Sequence, residues 1–173
     1  MQRILAFILL LLLLPILLLT ALTVALFDGL PIVFTQERIG LHRQAFTIYK
    51  FRTMRKEKIT FLGRVLRKSG LDELPQLLNI VEGHMRFVGP RPLTQKDIER
   101  LEWTDACFDP RWRAVPGLTG MAQLSPVCDK DISLANDLYY IHHRTFSLDV
   151  RILFQSILVP FIGKNKTKDL IHK

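Results

Sequence analysis

The sequence lacks several features that would place it in a common class of protein. Its two cysteines, Cys107 and Cys128, stand apart from each other and from any histidine at ligand spacing. This excludes a disulfide framework and a zinc site, and we interpret both residues as free thiols in a reducing compartment. No Gly-x-Gly-x-x-Gly motif follows a predicted strand, which excludes a dinucleotide-binding enzyme.

Charge is missing from the N-terminal end of the chain. Residues 4–27 form an apolar run of 24 residues without a charged side chain, and a membrane-spanning helix needs ~20. A signal peptide fits less well, because its apolar core usually has ~7–15 residues and no small-x-small cleavage site follows. Pro15 lies at the middle of the run and predicts a kink, so the segment either crosses a membrane or enters it and returns.

Acidic residues are scarce in the segment that follows. Between Arg38 and Lys68 there are ten Lys or Arg residues and a single acid, Glu57, in a chain of formal net charge +8. Such a basic block requires an anionic partner, which is nucleic acid, lipid headgroups or a phosphorylated substrate. Because the block follows the apolar run, the positive-inside tendency places the rest of the chain in the cytoplasm.

The remaining patterns predict a mainly helical α+β domain. The β-prone segments 32–35 and 45–51 predict a β-hairpin, in which Lys50 and Arg52 alternate with aromatic residues. One face of that strand is then cationic, either to bind an anion or simply to meet solvent. Apolar residues at helical spacing predict amphipathic helices, lying on a membrane surface or on the core, at residues 61–66 and 148–162.

Two adjacent carboxylates, Asp72 and Glu73, precede an apolar helical run that contains Pro75. Proline suits the first turn of a helix, where an N–H is not needed, so the two acids fall at or just before the helix start. Neighbouring helical positions point in different directions, so one acid is able to attack a substrate while the other holds a metal. The alternative is an ordinary helix N-terminus, where the helix dipole favours acidic side chains.

Two arginines stand in stiff or packed contexts that suit phosphate binding. Arg91 lies between Pro90 and Pro92, which restrict the backbone on both sides and thereby aim the guanidinium. Arg52 lies between apolar residues of the predicted strand. We therefore expect both arginines to bind substrate phosphates. A glycine-rich turn at residues 116–120 offers further backbone N–H groups to an anion.

Several of these segments, in their order along the chain, resemble motifs of the bacterial sugar transferases known as monotopic phosphoglycosyl transferases. The resemblance covers about residues 32–162. Its motifs are FTQERIG at 34–40, YKFRTM at 49–54, LDELPQ at 71–76, VGPRP at 88–92, PGLTGMAQ at 116–123, DLYY at 137–140 and LD at 148–149. Each motif alone is weak, but five or more in the same order make the resemblance specific.

This resemblance implies an enzyme in which Asp72 is the nucleophile and Glu73, with Asp72 beside it, holds Mg²⁺. The implied reaction begins when Asp72 attacks the sugar-linked phosphorus of a UDP-sugar and releases UMP. Polyprenyl (undecaprenyl) phosphate then takes the phosphosugar from the aspartate, which is the first membrane step of a bacterial exopolysaccharide, O-antigen or glycoprotein pathway. A carboxylate is able to form such an acyl phosphate, which divides one difficult displacement into two easier ones. Magnesium and the arginines offset the charge of the diphosphate.

The resemblance also implies which residues bind substrate, which partners are needed and where the protein acts. The implied substrate-binding residues are Lys50, Arg52, Pro90, Arg91, Pro92, Arg113, Thr119, Gln123, Asp137 and Tyr140. The expected partners are a UDP-sugar donor, a polyprenyl phosphate acceptor and anionic membrane lipid, with no nucleic acid and with a homodimer as one option. The implied location is the bacterial inner membrane, with the catalytic domain on the cytoplasmic face.

The expected organisation has three parts. Residues 1–27 form a membrane-inserted helix, re-entrant and kinked at Pro15, so that Gln2 and the basic block share the cytoplasmic face. Residues 28–163 form the catalytic sugar-transferase domain, with the β-hairpin and the membrane-surface amphipathic helices. A basic tail at residues 164–173 follows.

The chain departs from the family pattern at three places that bear on function. Leu14 stands where a serine usually precedes the proline, which affects membrane topology. Val115 replaces an arginine, and Leu124-Ser125-Pro126 replaces Asn-Gly-Arg, which affects the choice of sugar.

The alternative hypothesis is a membrane-anchored basic adaptor that binds anionic lipid or nucleic acid without catalysis. It accounts for the charge and the apolar run but not for an acid pair among cations, and UMP release distinguishes the two.

Overall fold

The computed structural model describes residues 1–127 and 129–162 of the chain. Cys128 and the predicted tail at 164–173 therefore lie outside the described residues. The chain forms two compact units, the first from Met1–Glu37 and Thr47–Gly83, the second from Arg38–Phe46 and His84–Lys173. The predicted mainly helical α+β class is confirmed, since short two-stranded sheets accompany the helices. The predicted division into membrane segment, catalytic domain and tail follows function rather than contacts, and it stays a prediction.

The apolar run folds into two helices, α1 (Gln2–Leu12) and α2 (Leu14–Asp28), bent by 61° relative to each other. Pro15 lies in the first turn of α2, where its missing N–H needs no partner. If the helix continued, the proline ring would clash with the carbonyl four residues earlier, so the break falls just before it, at Leu13. Among the described residues no single helix is long and apolar enough to cross a membrane, whereas the bent α1–α2 pair reaches that length and composition together.

Two short hairpins follow in the chain. The predicted hairpin is present as β1 (Val33–Ile39) and β2 (Ala45–Phe51), joined through a turn at Leu41–Arg43. The second consists of β3 (Met54–Arg55) and β4 (Lys58–Ile59), paired antiparallel.

The first unit is completed by α3 (Phe61–Ser69), a 3-10 turn at Leu71–Gln76 and α4 (Leu77–Glu82). Helix α3 begins at Thr60, whose hydroxyl accepts a hydrogen bond of 2.9 Å from the Gly63 N–H, an ordinary N-cap. Its inner face buries Leu66 against Val24 of α2 and Phe51 of β2, and these three residues form the core of the unit.

The second unit is organised around a parallel pair of strands, β5 (Arg86–Val88) and β6 (Gly117–Thr119). A Cβ at Gly117 would overlap the Gly89 nitrogen, and a Cβ at Gly120 would overlap the Gly89 oxygen, so only glycine allows this approach of the two backbones. The Gly117 N–H donates to the Pro90 carbonyl over 2.9 Å. The expectation that the 116–120 turn offers its N–H groups to an anion is therefore wrong for Gly117.

Helical segments make up most of the rest of this unit. They are α5 (Gln95–Leu101), a 3-10 segment (Ala106–Arg113), α6 (Met121–Leu124), α7 (Lys130–His143) and α8 (Phe146–Ile162). One core cluster joins Val88 to Tyr140 of α7 and Ile152 of α8. A second cluster packs Ile98 of α5 against Trp103 and Trp112, which brings the 3-10 segment onto that helix.

Candidate active site

Asp72 and Glu73 lie in the 3-10 turn Leu71–Gln76, directly before α4. Gly70, with φ 74°, ends α3 in the left-handed conformation and allows the chain to turn into this segment. The predicted position of the acid pair at or just before a helix start is confirmed. Asp72 is buried, at 7% exposure, whereas Glu73 is partly exposed.

An ion pair accompanies the buried acid. Lys50 Nζ of β2 lies 2.5 Å from Glu73 Oε1. The pKa of Asp72 is raised, mainly because burial removes water from its carboxylate and secondly because Glu73 carries the same charge. The positive charges of Lys50 and Arg67 lower that pKa and so offset part of the rise. The arrangement provides a carboxylate with little hydration beside a fixed cation, which suits nucleophilic attack on an anionic electrophile.

Asn79 holds β2 against α4 and thereby fixes the position of Lys50. Asn79 is fully buried; its Oδ1 accepts from the Tyr49 N–H over 3.2 Å and its Nδ2 donates to the Thr47 carbonyl over 2.7 Å. The Asn79 amide thus provides hydrogen-bond partners for the β2 backbone on the side where the described residues place no neighbouring strand. Lys50 follows Tyr49 directly, so the same contacts set its register toward Glu73.

The structure places Arg52 at the end of α2. Its Nη1 donates to the Leu30 carbonyl over 2.6 Å, and its Nη2 donates to the carbonyls of Asp28 and Gly29. A cation at a helix C-terminus satisfies carbonyl groups that have no partner within the helix. The predicted binding of substrate phosphate by Arg52 stays a prediction, and these contacts show that its guanidinium already has three backbone acceptors.

In the second unit, the loop after β5 presents Arg91. Pro90 and Pro92 are buried and Arg91 between them is exposed, while the predicted binding of phosphate by Arg91 stays a prediction. Among the described residues, the Arg91 guanidinium has no hydrogen-bond or ion-pair partner, while its carbonyl accepts a hydrogen bond of 2.7 Å from Arg111 Nη2. The loop therefore holds a guanidinium that is available to an anion.

Three other predicted binding residues have buried or internal contacts in this unit. Asp137, 3% exposed, forms an ion pair of 2.8 Å with Arg111. The Tyr140 hydroxyl is 2.6 Å from Asp149 Oδ1, and burial together with this carboxylate raises the Tyr140 pKa. The Thr119 hydroxyl shares a hydrogen bond of 2.5 Å with Ser156. Their predicted contact with substrate stays a prediction, since each already has a protein partner.

Two cavities of the second unit contain the remaining predicted residues. Arg91, Gln123 and Asp137 line a cavity of about 660 Å³. The buried Gln123 Oε1 has no hydrogen-bond partner among the described residues. Arg113 is exposed and lines a separate cavity of about 260 Å³ together with Arg43 and Asp109. The sequence motifs therefore bring Arg91, Gln123 and Asp137 together but leave Arg113 apart from them.

The donor set for the predicted Mg²⁺ consists of two carboxylates. Among the described residues no group of three His, Cys, Asp or Glu side chains is placed to hold a metal ion. Mg²⁺ usually keeps several waters and binds proteins through one or two carboxylates together with substrate phosphates. Asp72 and Glu73 fit that mode of binding, and they do not fit a site built from protein ligands alone.

Three residues that the sequence motifs did not single out as site residues have defined roles in these arrangements. Arg67 lowers the pKa of Asp72, Asn79 fixes β2, and Arg111 joins Asp137 to the Arg91 loop. Of the three, only Arg111 could have been recognised from the sequence, because an arginine flanked by Pro110 and Trp112 is unusual for a solvated surface.

Comparison with known proteins gives one consistent result. A family model described as "Bacterial sugar transferase" matches residues 1–163. EpsL of Bacillus subtilis, described as an uncharacterized sugar transferase, is 38% identical over 154 residues, which cover 80% of this chain and 74% of EpsL.

Two longer relatives carry names that state a reaction. The UDP-N-acetylgalactosamine-undecaprenyl-phosphate N-acetylgalactosaminephosphotransferase of Aeromonas hydrophila is 32% identical over 168 residues, which cover 86% of this chain and 40% of that protein. The undecaprenyl-phosphate galactose phosphotransferase of Salmonella typhimurium is 34% identical over 165 residues, which cover 76% of this chain and 34% of that protein. The chain thus spans less than half the length of these two relatives.

Proposed function

Since this chain belongs to the bacterial sugar transferase family, we propose that it transfers a sugar 1-phosphate from a UDP-sugar to polyprenyl phosphate and releases UMP. The observation that carries the proposal is the buried Asp72 beside the Lys50–Glu73 ion pair. The names of the Aeromonas and Salmonella relatives state this type of reaction for those proteins. A basic adaptor without catalysis would have no need for a buried, poorly hydrated carboxylate.

The proposed reaction has two displacements at one phosphorus. A carboxylate oxygen of Asp72 forms a bond to the sugar-linked phosphorus of the donor, and the bond from that phosphorus to the bridging oxygen breaks, so UMP leaves with the electron pair. An oxygen of polyprenyl phosphate then attacks the same phosphorus, and the carboxylate leaves and is regenerated. Each step is easier than a direct transfer between two anionic phosphates.

The other residues act by position and charge. Lys50 holds Glu73 and lowers the pKa of Asp72, which favours the ionised form of the nucleophile against the effect of burial. Asp72 and Glu73 would hold Mg²⁺, which offsets charge on the diphosphate of the donor. Arg91, whose guanidinium has no described protein partner, binds a donor phosphate.

We also propose that α1 and α2 enter the membrane and return to the same side. The guanidinium of Arg3 lies so close to Gly83, at the end of α4, that a Cβ at residue 83 would overlap it. At the other end of the pair, Asp28 Oδ2 accepts a hydrogen bond of 2.7 Å from Thr60. Both ends of the apolar segment therefore contact residues 60–83 of the same unit, whereas a straight span would place Arg3 ~30 Å away across the hydrocarbon. Anionic lipid at that surface would meet the basic residues of α3.

The experiment measures UMP release by the full chain, purified in detergent, with Mg²⁺, undecaprenyl phosphate and a panel of UDP-sugars. A panel is needed because the Aeromonas and Salmonella relatives are named for different sugars. We expect UMP from at least one donor and none from Asp72→Asn. If no donor releases UMP, and the protein binds anionic vesicles equally well with and without Asp72→Asn, the adaptor hypothesis is correct instead.

A further inference from the structure

We infer that Arg111 and Asp137 form a positioning pair that holds Arg91 in place to bind a phosphate of the nucleotide donor. The inference rests on the proposed function, because it concerns how one donor-binding residue is kept in place. Asp137 then contributes to binding through Arg111 and Arg91, without touching the donor.

Arg111 is fixed from several sides. Its Nε donates to Asp137 Oδ2 over 2.8 Å, and both side chains are almost fully buried. The guanidinium also stacks on the rings of Trp103 and Trp112, with its carbon 5.2 and 4.7 Å from their centroids. Burial lowers the pKa of Arg111, but the adjacent carboxylate raises it, and an arginine stays charged at any pH of interest.

The Arg111 guanidinium also makes a hydrogen bond outside its ion pair with Asp137. Arg111 Nη2 donates over 2.7 Å to the carbonyl of Arg91 itself. The peptide that carries the Arg91 side chain is thereby tied to α7, which holds Asp137. Pro90 and Pro92 restrict rotation on both sides, and Arg111 removes the remaining freedom of the peptide between them. A guanidinium held this way loses little entropy when it binds an anion.

The cavity next to Arg91 has the size and charge for such an anion. Its volume of about 660 Å³ is within the ~300–1,000 Å³ of small-molecule sites. Five basic and three acidic side chains line it. Two of the acids are already paired, Asp137 with Arg111 and Asp97 with Arg38. Arg91 remains as an unpaired cation of the described lining, and a nucleoside diphosphate is the matching ligand.

If Arg111 and Asp137 act only through Arg91, a substitution of Arg111 should have little effect once Arg91 has been removed. A double-mutant cycle tests this. Arg111→Lys keeps the charge beside Asp137 but lacks the planar fork that reaches both Asp137 and the Arg91 carbonyl. The probe is UDP, whose affinity is measured by titration calorimetry with Mg²⁺ present, since it does not depend on the identity of the sugar. We expect Arg91→Ala to weaken UDP binding by about tenfold and Arg111→Lys by about fivefold. In the Arg91→Ala background, Arg111→Lys should change the affinity by less than about twofold.

The matched control is Arg151→Lys, an exposed arginine on α8 of the same unit, which should leave UDP affinity unchanged. If Arg111→Lys does not fold, as judged by its thermal melt, Asp137→Asn replaces it in the cycle and should give a similar loss of UDP affinity that disappears in the Arg91→Ala background. This substitution removes the charge that holds Arg111, while its amide oxygen still accepts a hydrogen bond and spares the core an unpaired donor. Losses that multiply in the double variant would overturn the inference, as would an Arg91→Ala protein that binds UDP like the wild type. Failure of the proposed function is a different result, namely a wild type that releases no UMP from any donor.

Discussion

Lys50 Nζ lies 2.5 Å from Glu73 Oε1, so the lysine of the YKFRTM segment is an ion-pair partner of the acidic pair. Its charge reaches the neighbouring Asp72 as well, whose pKa it lowers. The first prediction follows from this relationship. Lys50→Met removes that charge, so the pKa of Asp72 should rise further above its usual range. If Asp72 attacks as the anion, as proposed, the acid limb of the kcat/KM profile for UMP release should move to higher pH.

Two variants check the cause of that shift. Lys50→Arg keeps the charge and should leave the acid limb in place, and Lys68→Met, at an exposed lysine of α3, should do the same. If Lys50→Met raises KM without moving the acid limb, Lys50 binds substrate directly, as the family resemblance implies.

The second prediction concerns a covalent intermediate on Asp72. Protein incubated with a UDP-sugar and Mg²⁺, but without lipid, should gain the mass of a phosphosugar on Asp72, and Asp72→Asn should gain none because the amide is not a nucleophile. Mass spectrometry of the intact and digested protein makes the measurement. An adduct that maps to Glu73 would reverse the roles of the two acids. UMP release that requires the lipid, with no adduct, would indicate direct transfer.

Asp72→Asn should also be more stable than the wild type at neutral pH, which is the third prediction. Burial raises the pKa of Asp72, so its charged form is less favourable in the folded than in the unfolded chain. This loss of stability is present above the raised pKa and disappears as the pH falls through it. Urea unfolding at pH 7.5 and at pH 4 should therefore show a gain for Asp72→Asn that shrinks at the lower pH. A variant less stable than the wild type at pH 7.5 would contradict the direction of the shift.

The fourth prediction separates Glu73 from Asp72. Glu73→Gln replaces a carboxylate by a neutral amide, which is a poorer ligand for a hard cation. UMP release should fall and should recover in part as Mg²⁺ is raised, whereas Asp72→Asn should not recover at any Mg²⁺ concentration. Glu99→Gln, at an exposed acid on α5, serves as the control and should show the wild-type dependence on Mg²⁺. Equal rescue of both variants would show that Asp72 serves as a metal ligand and not as the nucleophile.

The fifth prediction concerns the α1–α2 pair. A cysteine at Gln2, in a Cys107→Ser/Cys128→Ser background, should be protected from an impermeant thiol reagent in intact cells and labelled after the cells are opened. The contact of Arg3 with Gly83 is the reason, since it holds the start of α1 beside the first unit. Labelling of residue 2 in intact cells would show a straight span. The wild-type protein, with its exposed Cys107, is the control for permeability.

Local sequence patterns predicted most of the helices and strands. They could not predict which polar side chains would bind other parts of the protein instead of substrate. Proline at position 15 predicted the break of the apolar run, and the β-prone residues at 45–51 predicted β2. Arg52 and Asp137 were expected to meet substrate because they lie in motifs, yet Arg52 donates to the end of α2 and Asp137 is buried on Arg111. Such pairings join segments distant in sequence, and neither periodicity nor spacing encodes them. The same reason explains why Arg111, 26 positions from its partner, was missed.

The packing of α2 determines whether the apolar segment can be removed from this protein. Hydropathy alone would divide the chain near residue 28, yet Val24 is fully buried against Phe51 and Leu66, and Leu71, next to Asp72, packs against the same cluster. Removing the apolar helices would open that core, and a foreign transmembrane segment would not refill it. A water-soluble enzyme is therefore not obtained by trimming the chain. The apolar segment and the segment that carries Asp72 belong to one folded unit.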